Sequence, residues 1–148
     1  MPTTIAIDPG KKANYVAQFE AGRLAVVWSV NDATLEGAPS SILADNVYLE
    51  HMRHRPGDAR SVVNDLIDVA TNGALYAGRF GCPVILVTPQ RWKGQVPKEI
   101  MTERILRALS DAERQNLERH FKMFRVIKSL QHNYIDAVGI GLWASGRI

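Results

Sequence analysis

The sequence contains a single cysteine, Cys82, among 148 residues, which excludes an intrachain disulfide and argues against a thiolate zinc site. In its Gly-Cys-Pro-Val setting this residue reads as a small buried hydrophobe at the start of a strand. No apolar run reaches the roughly 18 residues that span a bilayer, and the N-terminus lacks the basic-then-apolar pattern of a secretory signal. A cytoplasmic protein with no membrane partner is expected. There is no strong excess of one charge either: 18 Lys and Arg stand against 15 Asp and Glu, for a net +3 and a pI near 9.2. That balance permits a polyanionic partner without requiring one. Internal repeats, low-complexity stretches and linkers are all missing. The 46% hydrophobic content fits one domain over residues 1–148, burying about two-thirds of its unfolded surface.

The apolar pattern alternates between strands and helices. Thr3 to Asp8 is a short apolar run stopped by Pro9-Gly10, as expected of a buried strand ending in a turn. Asn14 to Glu20 and Arg23 to Val30 are β-branched and aromatic runs separated by Ala21-Gly22 alone, spacing that fits antiparallel hairpins. Asn31 to Ser41 reads as a loop, and Ala44 to Glu50 as a fourth strand with Val47 and Leu49 on one face. Val62, Val63, Leu66, Ile67, Ala70, Ala74 and Leu75 recur at helical spacing and predict a helix over Ala59 to Ala77 with one buried side. Gly73 within it permits close approach of a neighbour, either the sheet or a second subunit.

Pro83 to Thr88 is an almost continuous apolar run, as for a central strand covered on both sides. Lys98 to Leu109 reads as a helix carrying Ile100, Ile105, Leu106 and Leu109. A capping box at Ser110-Asp111-Ala112-Glu113 starts another, and a last helix runs from Gln131 to Ala144. The expected fold class is α/β, a mixed five-stranded sheet flanked by helices.

Three acids stand out. Asp8 ends an apolar strand, where it serves either chemistry or the capping of the Pro-Gly turn. Glu50 ends the fourth strand and reads equally as a solvent-facing residue. Asp136 precedes the apolar and small-residue stretch Ala137 to Ala144, where a charge needs a partner or a metal. Carboxylates from separate elements can hold two divalent cations about 4 Å apart for phosphodiester cleavage. Magnesium accepts such oxygen ligands without any cysteine or histidine cluster. Gly139-Ile140-Gly141 lacks the spacing and the Lys-Ser/Thr ending of a phosphate loop, so no nucleotide cofactor is expected; its small residues suit close helix packing.

The segments IAIDPG (Ile5 to Gly10), VYLEHM (Val47 to Met52) and HNYIDAVGIGLWA (His132 to Ala144) resemble the three acidic motifs of RuvC-type Holliday-junction resolvases, of the RNase H-like superfamily. VTPQRWKG (Val87 to Gly94) is similar to a Trp-Lys feature of the phage-encoded variants. The resemblance implies an RNase H-like fold and a Mg2+-dependent endonuclease, with Mn2+ able to substitute. It further implies a homodimer that nicks four-way DNA junctions by two-metal hydrolysis, leaving 5′-phosphate and 3′-hydroxyl ends. It assigns Asp8, Glu50 and Asp136 as catalytic metal ligands. The family's usual further acid one turn before the last aspartate is replaced by Asn133. His132, four residues before Asp136 and so on the same helical face, is the candidate to orient water or take a proton; the alternative is a helix-start histidine bonded to backbone.

Lys98 resembles the family's lysine after its basic loop, a position from which it can meet phosphate. The stretch Arg91 to Lys128 carries ten Lys or Arg and five Asp or Glu, consistent with a surface that binds DNA backbone. Within it, Arg91 and Lys93 are candidates for phosphate contact. Trp92 is a candidate for stacking on an exposed base, or else for filling a gap against the core. His51, Arg53, His54 and Arg55 read as a solvated loop bordering the active site rather than a zinc site.

Overall fold

The computed structural model describes residues 2–31 and 42–148. The expected loop from Asn31 to Ser41 lies outside the described residues, except Asn31 itself. β1 (Thr3–Pro9), β2 (Ala13–Glu20) and β3 (Arg23–Asn31) form an antiparallel meander. Ala21 and Gly22, with φ of 48° and 75°, make the two-residue turn between β2 and β3. Positive φ at both positions gives a turn whose twist matches that of the strands it joins.

β4 (Asn46–Glu50) pairs in parallel with β1, and β5 (Val84–Val87) in parallel with β4, giving the order β3-β2-β1-β4-β5. The helices are α1 (Arg60–Gly78), the single turn α2 (Pro89–Trp92), α3 (Lys98–Ala108), α4 (Asp111–Met123) and α5 (Lys128–Ala144).

Strand alternation divides the core in two. Ile5, Ile7, Val16, Val47 and Leu49 point to one side, where Tyr76 and Ala77 of α1 cover them. Ala6, Ala17 and Phe19 point to the other, against Ile105 of α3, Leu117 of α4 and Val138 and Ile140 of α5. The helix α5 approaches the sheet so closely that a Cβ on Gly141 would fall 2.0 Å from the Phe19 ring. The small residues of the Gly-Ile-Gly stretch therefore serve packing, as expected.

The structure departs from the sequence expectations in its outer elements. β5 is an edge strand, not a central one, and Val84 and Leu86 are exposed. Helix α1 has the expected period and nearly the expected ends, but its buried residues are Gly73, Tyr76 and Ala77. Ile67 and Leu75, expected inside, are 57% and 65% exposed. Gly73 meets the sheet, since a Cβ there would stand 2.9 Å from Pro9 Cβ and 3.0 Å from Leu49 Cδ1. Helix α5 begins three residues earlier than expected, because its first turn is exposed and carries no buried apolar residue to announce it. Ile100 is exposed, and Cys82 is only half-buried.

Glu113 does more than close the expected capping box with Ser110. Its carboxylate also accepts from the Leu24 backbone N–H at 2.7 Å and receives a bidentate Arg147 guanidinium at 2.6 and 2.9 Å. Arg147 donates onward to the Gly22 carbonyl at 3.0 Å. One buried acid thus ties the β2–β3 turn, the start of α4 and the residues after α5.

Burial opposes ionisation of Glu113, but the Arg147 hydrogen bond and the Ser110 and Leu24 N–H groups outweigh it and hold its pKa at about 2, below the ordinary 4.5. The resulting stability is complete above the ordinary value and is lost as pH falls from there towards 2. Glu113→Ala should cost about 3 kcal/mol at pH 7. In urea titrations the gap between wild type and variant should narrow steadily below pH 4.5.

Candidate active site

Register positions two of the three acids. Ile7 lies opposite Leu49 in the parallel β1–β4 pair, so Asp8 and Glu50 follow as the next residue of each strand, at the same end of the sheet. Ile7 and Leu49 face α1, and alternation turns Asp8 and Glu50 to the α5 face. Asp136 projects from α5 into the same cleft, a cavity of about 1210 Å³ that Asp8, Glu50, His132, Asn133 and Asp136 all line. This is the carboxyl end of the parallel strands, where open α/β sheets form their crevices.

The acids oppose one another's charge. Asp8 is pushed well above the usual carboxylate range by burial and then by Glu50 and Asp136, with Lys93 and Lys98 pulling the other way. Glu50 is raised by burial against the pull of Lys93 and the Trp92 hydrogen bond. Asp136 is raised by burial against Lys93, Lys98 and His132. Lys93 Nζ stands 4.0 Å from Asp136 Oδ2.

Among the described residues, no three Asp, Glu, His or Cys side chains close into a finished metal cage. The donor set still fits a hard divalent cation. It consists of carboxylate oxygens, whose ionisation is disfavoured by burial and mutual repulsion, and a cation would remove that penalty.

The fate of the basic and aromatic candidates differs. Lys93 and Lys98 line the cleft with the acids and His132. Arg91 does not; its guanidinium lies over the Trp143 ring, 5.4 Å from the centroid. Trp92 is not a base-stacking platform. It is 4% exposed and donates its indole N–H to Glu50 Oε2 at 2.6 Å, so it fills the core side of the site.

By sequence alone, no protein-family model and no curated protein matches the chain. By structure, it is similar to RuvC of Thermus thermophilus in complex with a Holliday junction substrate. The TM-score is 0.57 at 15% identity, over 96% of this chain and 91% of that one. The fold is that of RuvC. A second structure of T. thermophilus RuvC agrees, with a TM-score of 0.52 at 15% identity over 95% and 91% of the two chains. The architecture is therefore the expected RNase H-like one, a mixed five-stranded sheet flanked by helices.

On this RuvC fold the cleft also carries groups that sequence reasoning did not single out. Lys11 and Lys12 line it directly after the Pro9-Gly10 turn. Arg53, His54 and Arg55, from the loop expected to border the site, do line it, while His51 does not. Lys11 and Lys12 had a legible signal, two adjacent lysines immediately after the first acidic motif. Lys11 also pairs with Asp65 of α1 at 2.8 Å, an exposed contact of small energetic weight.

Because the folded protein raises the Asp8 pKa, the penalty for ionising Asp8 is absent below the ordinary carboxylate range and grows as pH rises above it. Asp8→Asn should therefore raise the metal-free Tm at pH 7.5, by about 2–4 °C for each kcal/mol relieved. Added Mg2+ should raise the Tm of wild type and leave that of the variant almost unmoved. Calorimetry with and without chelator checks both directions.

Proposed function

We propose that this chain is a single-domain, Mg2+-dependent endonuclease that resolves four-way DNA junctions, with Mn2+ able to substitute. The convergence of Asp8, Glu50 and Asp136 on one cleft, rimmed by Lys11, Lys12, Arg53, Arg55, Lys93 and Lys98, carries this reading. Asp8, Glu50 and Asp136 would hold the cations. When bound, these supply Lewis acidity for phosphodiester hydrolysis and neutralise charge on the leaving oxygen.

The basic rim draws in the DNA backbone and orients it over the acids, contacts that position a strand without reading its sequence. Lys93 brings a positive charge to Asp136 and to a phosphate entering beside it. Lys98, at the first residue of α3, offers a second such contact. His132 lies on the wall with Asp136 and takes the proton of the attacking water. The water oxygen bonds to phosphorus, the bond from phosphorus to the 3′ oxygen breaks, the departing 3′ oxygen takes a proton from solvent, and the products carry 5′-phosphate and 3′-hydroxyl ends.

The choice of a four-way junction rests on the likeness to a RuvC bound to a Holliday junction substrate, and on the acidic motifs. Asn133, which lines the cleft where the resemblance calls for another acid, favours a second reading, a junction-binding scaffold without catalysis. Cleavage of end-labelled junction, fork, flap, RNA–DNA hybrid and linear duplex with Mg2+ or Mn2+ separates the possibilities. Paired junction nicks that vanish in Asp8→Asn are expected. Tight junction binding with no cleavage in either metal would establish the scaffold instead, and preferential cutting of another substrate would overturn the junction assignment.

A homodimer would present two such clefts to one junction. The register supports a surface for it. Val84 lies opposite Val47 and Leu86 opposite Leu49, so both exposed β5 residues face the α1 side of the sheet. They lie on the same side as the uncovered Ile67 and Leu75 of α1. Exposed apolar groups on this side of the sheet offer a surface that a second subunit could cover. Sedimentation equilibrium should find a dimer in wild type and a monomer in Leu75→Glu/Leu86→Lys, with the metal-dependent Tm rise retained. A wild-type monomer, free and on the junction, would refute the dimer.

A further inference from the structure

Trp92 is the buried group that the functional reading above leaves without a task. Its ring is wedged where a Cβ on Gly139 would stand 2.6 Å from Cζ3, and the same Cβ would stand 2.6 Å from Ile105 Cδ1. Gly139 lies one turn beyond Asp136 on α5, so the indole is seated on the helix that bears one acid while it bonds to another. Its position along the chain is set by the single turn α2. Pro89 starts that turn, and it closes with Lys93 N–H donating to the Pro89 carbonyl at 2.9 Å and Gly94 N–H to that of Gln90 at 3.1 Å. The next residue, Lys93, carries its Nζ 4.9 Å from the Trp92 ring centroid and 4.0 Å from Asp136 Oδ2.

We propose that Trp92 is a positioning residue for Glu50. Its N–H donates to Oε2 and fixes the carboxylate plane, so that Glu50 would be held ready to present its free oxygen, Oε1, to a divalent cation. This inference rests on the proposed metal-dependent function. The chemistry of the partner matters. Indole is a donor with no acceptor and no charge, so it fixes the carboxylate's orientation while leaving its full negative charge for a cation. An arginine or lysine at the same place would hold Glu50 equally well and neutralise it. The hydrogen bond is buried, with Glu50 itself 6% exposed, so water does not compete for Oε2 and the carboxylate is held against rotation. Outer partners that orient a metal ligand typically change affinity by about 10–100-fold when removed.

The test measures Mn2+ binding to the full chain without DNA, by the loss of the free-ion EPR signal, alongside metal-free Tm. Wild type is compared with Trp92→Phe and with a variant carrying 3-benzothienylalanine at position 92, which keeps the bicyclic shape and replaces N–H by sulfur. The expected result is a Kd for Mn2+ weakened by at least about tenfold in both variants, with the metal-free benzothienyl protein still unfolding in one cooperative transition, at a Tm lowered only by the loss of one buried hydrogen bond. Saturating Mn2+ should then return its junction cleavage towards the wild-type kcat, a defect in metal KM rather than in turnover. If wild type binds Mn2+ and the benzothienyl protein binds it equally well, the positioning role is overturned and the nuclease reading stands. Absence of Mn2+ binding by wild type would overturn both together.

Discussion

Ile7 of β1 lies opposite Leu49 of β4, and this one pairing carries Asp8 and Glu50 to the same edge and the same face of the sheet. Side chains alternate with a period of two, so a slip of one residue in either strand would turn one acid to the α1 side and leave the other alone. The slip is opposed by burial. A slip of β1 would take Ile5 and Ile7, and a slip of β4 Val47 and Leu49, out of the core covered by Tyr76 and Ala77, at roughly 1.5–3 kcal/mol for each side chain exposed. The geometry of the acids is thus enforced by apolar residues that take no part in chemistry.

The third acid depends on how near α5 can come. Gly139 and Gly141 remove the side chains that would collide with Trp92, Ile105 and Phe19, and the helix settles against the sheet with Asp136 over the strand ends. On the far side Gly73 does the same for α1, against Pro9 at the end of β1. The acid-bearing strand end is therefore held between two helices that each approach through a glycine. What this creates is a cluster of like charges in a partly dry cleft, unfavourable in itself and only partly offset by Lys93 and Lys98. A fold that tolerates such a cluster must be stabilised elsewhere, and the clasp of Glu113 by Arg147, Leu24 and Ser110 lies at the other end of the chain's contacts, away from the cleft residues.

Much of the architecture was legible because local chemistry and fold agree. The Pro-Gly stop after Asp8, the Ala21-Gly22 turn and the Ser110 capping box each act within a few residues, and each appears where expected. The three acids were legible through their motifs. The misread elements share a cause. Val84 to Val87 and the stripe of α1 are apolar, but apolarity does not say what covers a surface, and here the strand order puts β5 at an edge and leaves Ile67 and Leu75 open. Trp92 was ambiguous for a related reason. An aromatic beside two basic residues suits a DNA surface, and only the packing of α2 between β4 and α5 turns its N–H towards Glu50.

The sequence by itself determined the period and order of the elements, the balance of charge, the absence of a disulfide and which residues had the chemistry to bind a cation. Those properties reside in the chain's own bonds and side chains, within a turn or a strand of one another. Tertiary structure alone decided that Asp8, Glu50 and Asp136 share a cleft with Lys11 and Lys12, that Arg91 leaves it for Trp143, and that the indole of Trp92 faces inward. Such relations join residues tens of positions apart through strand register and helix approach, and they arise only when the whole core packs at once.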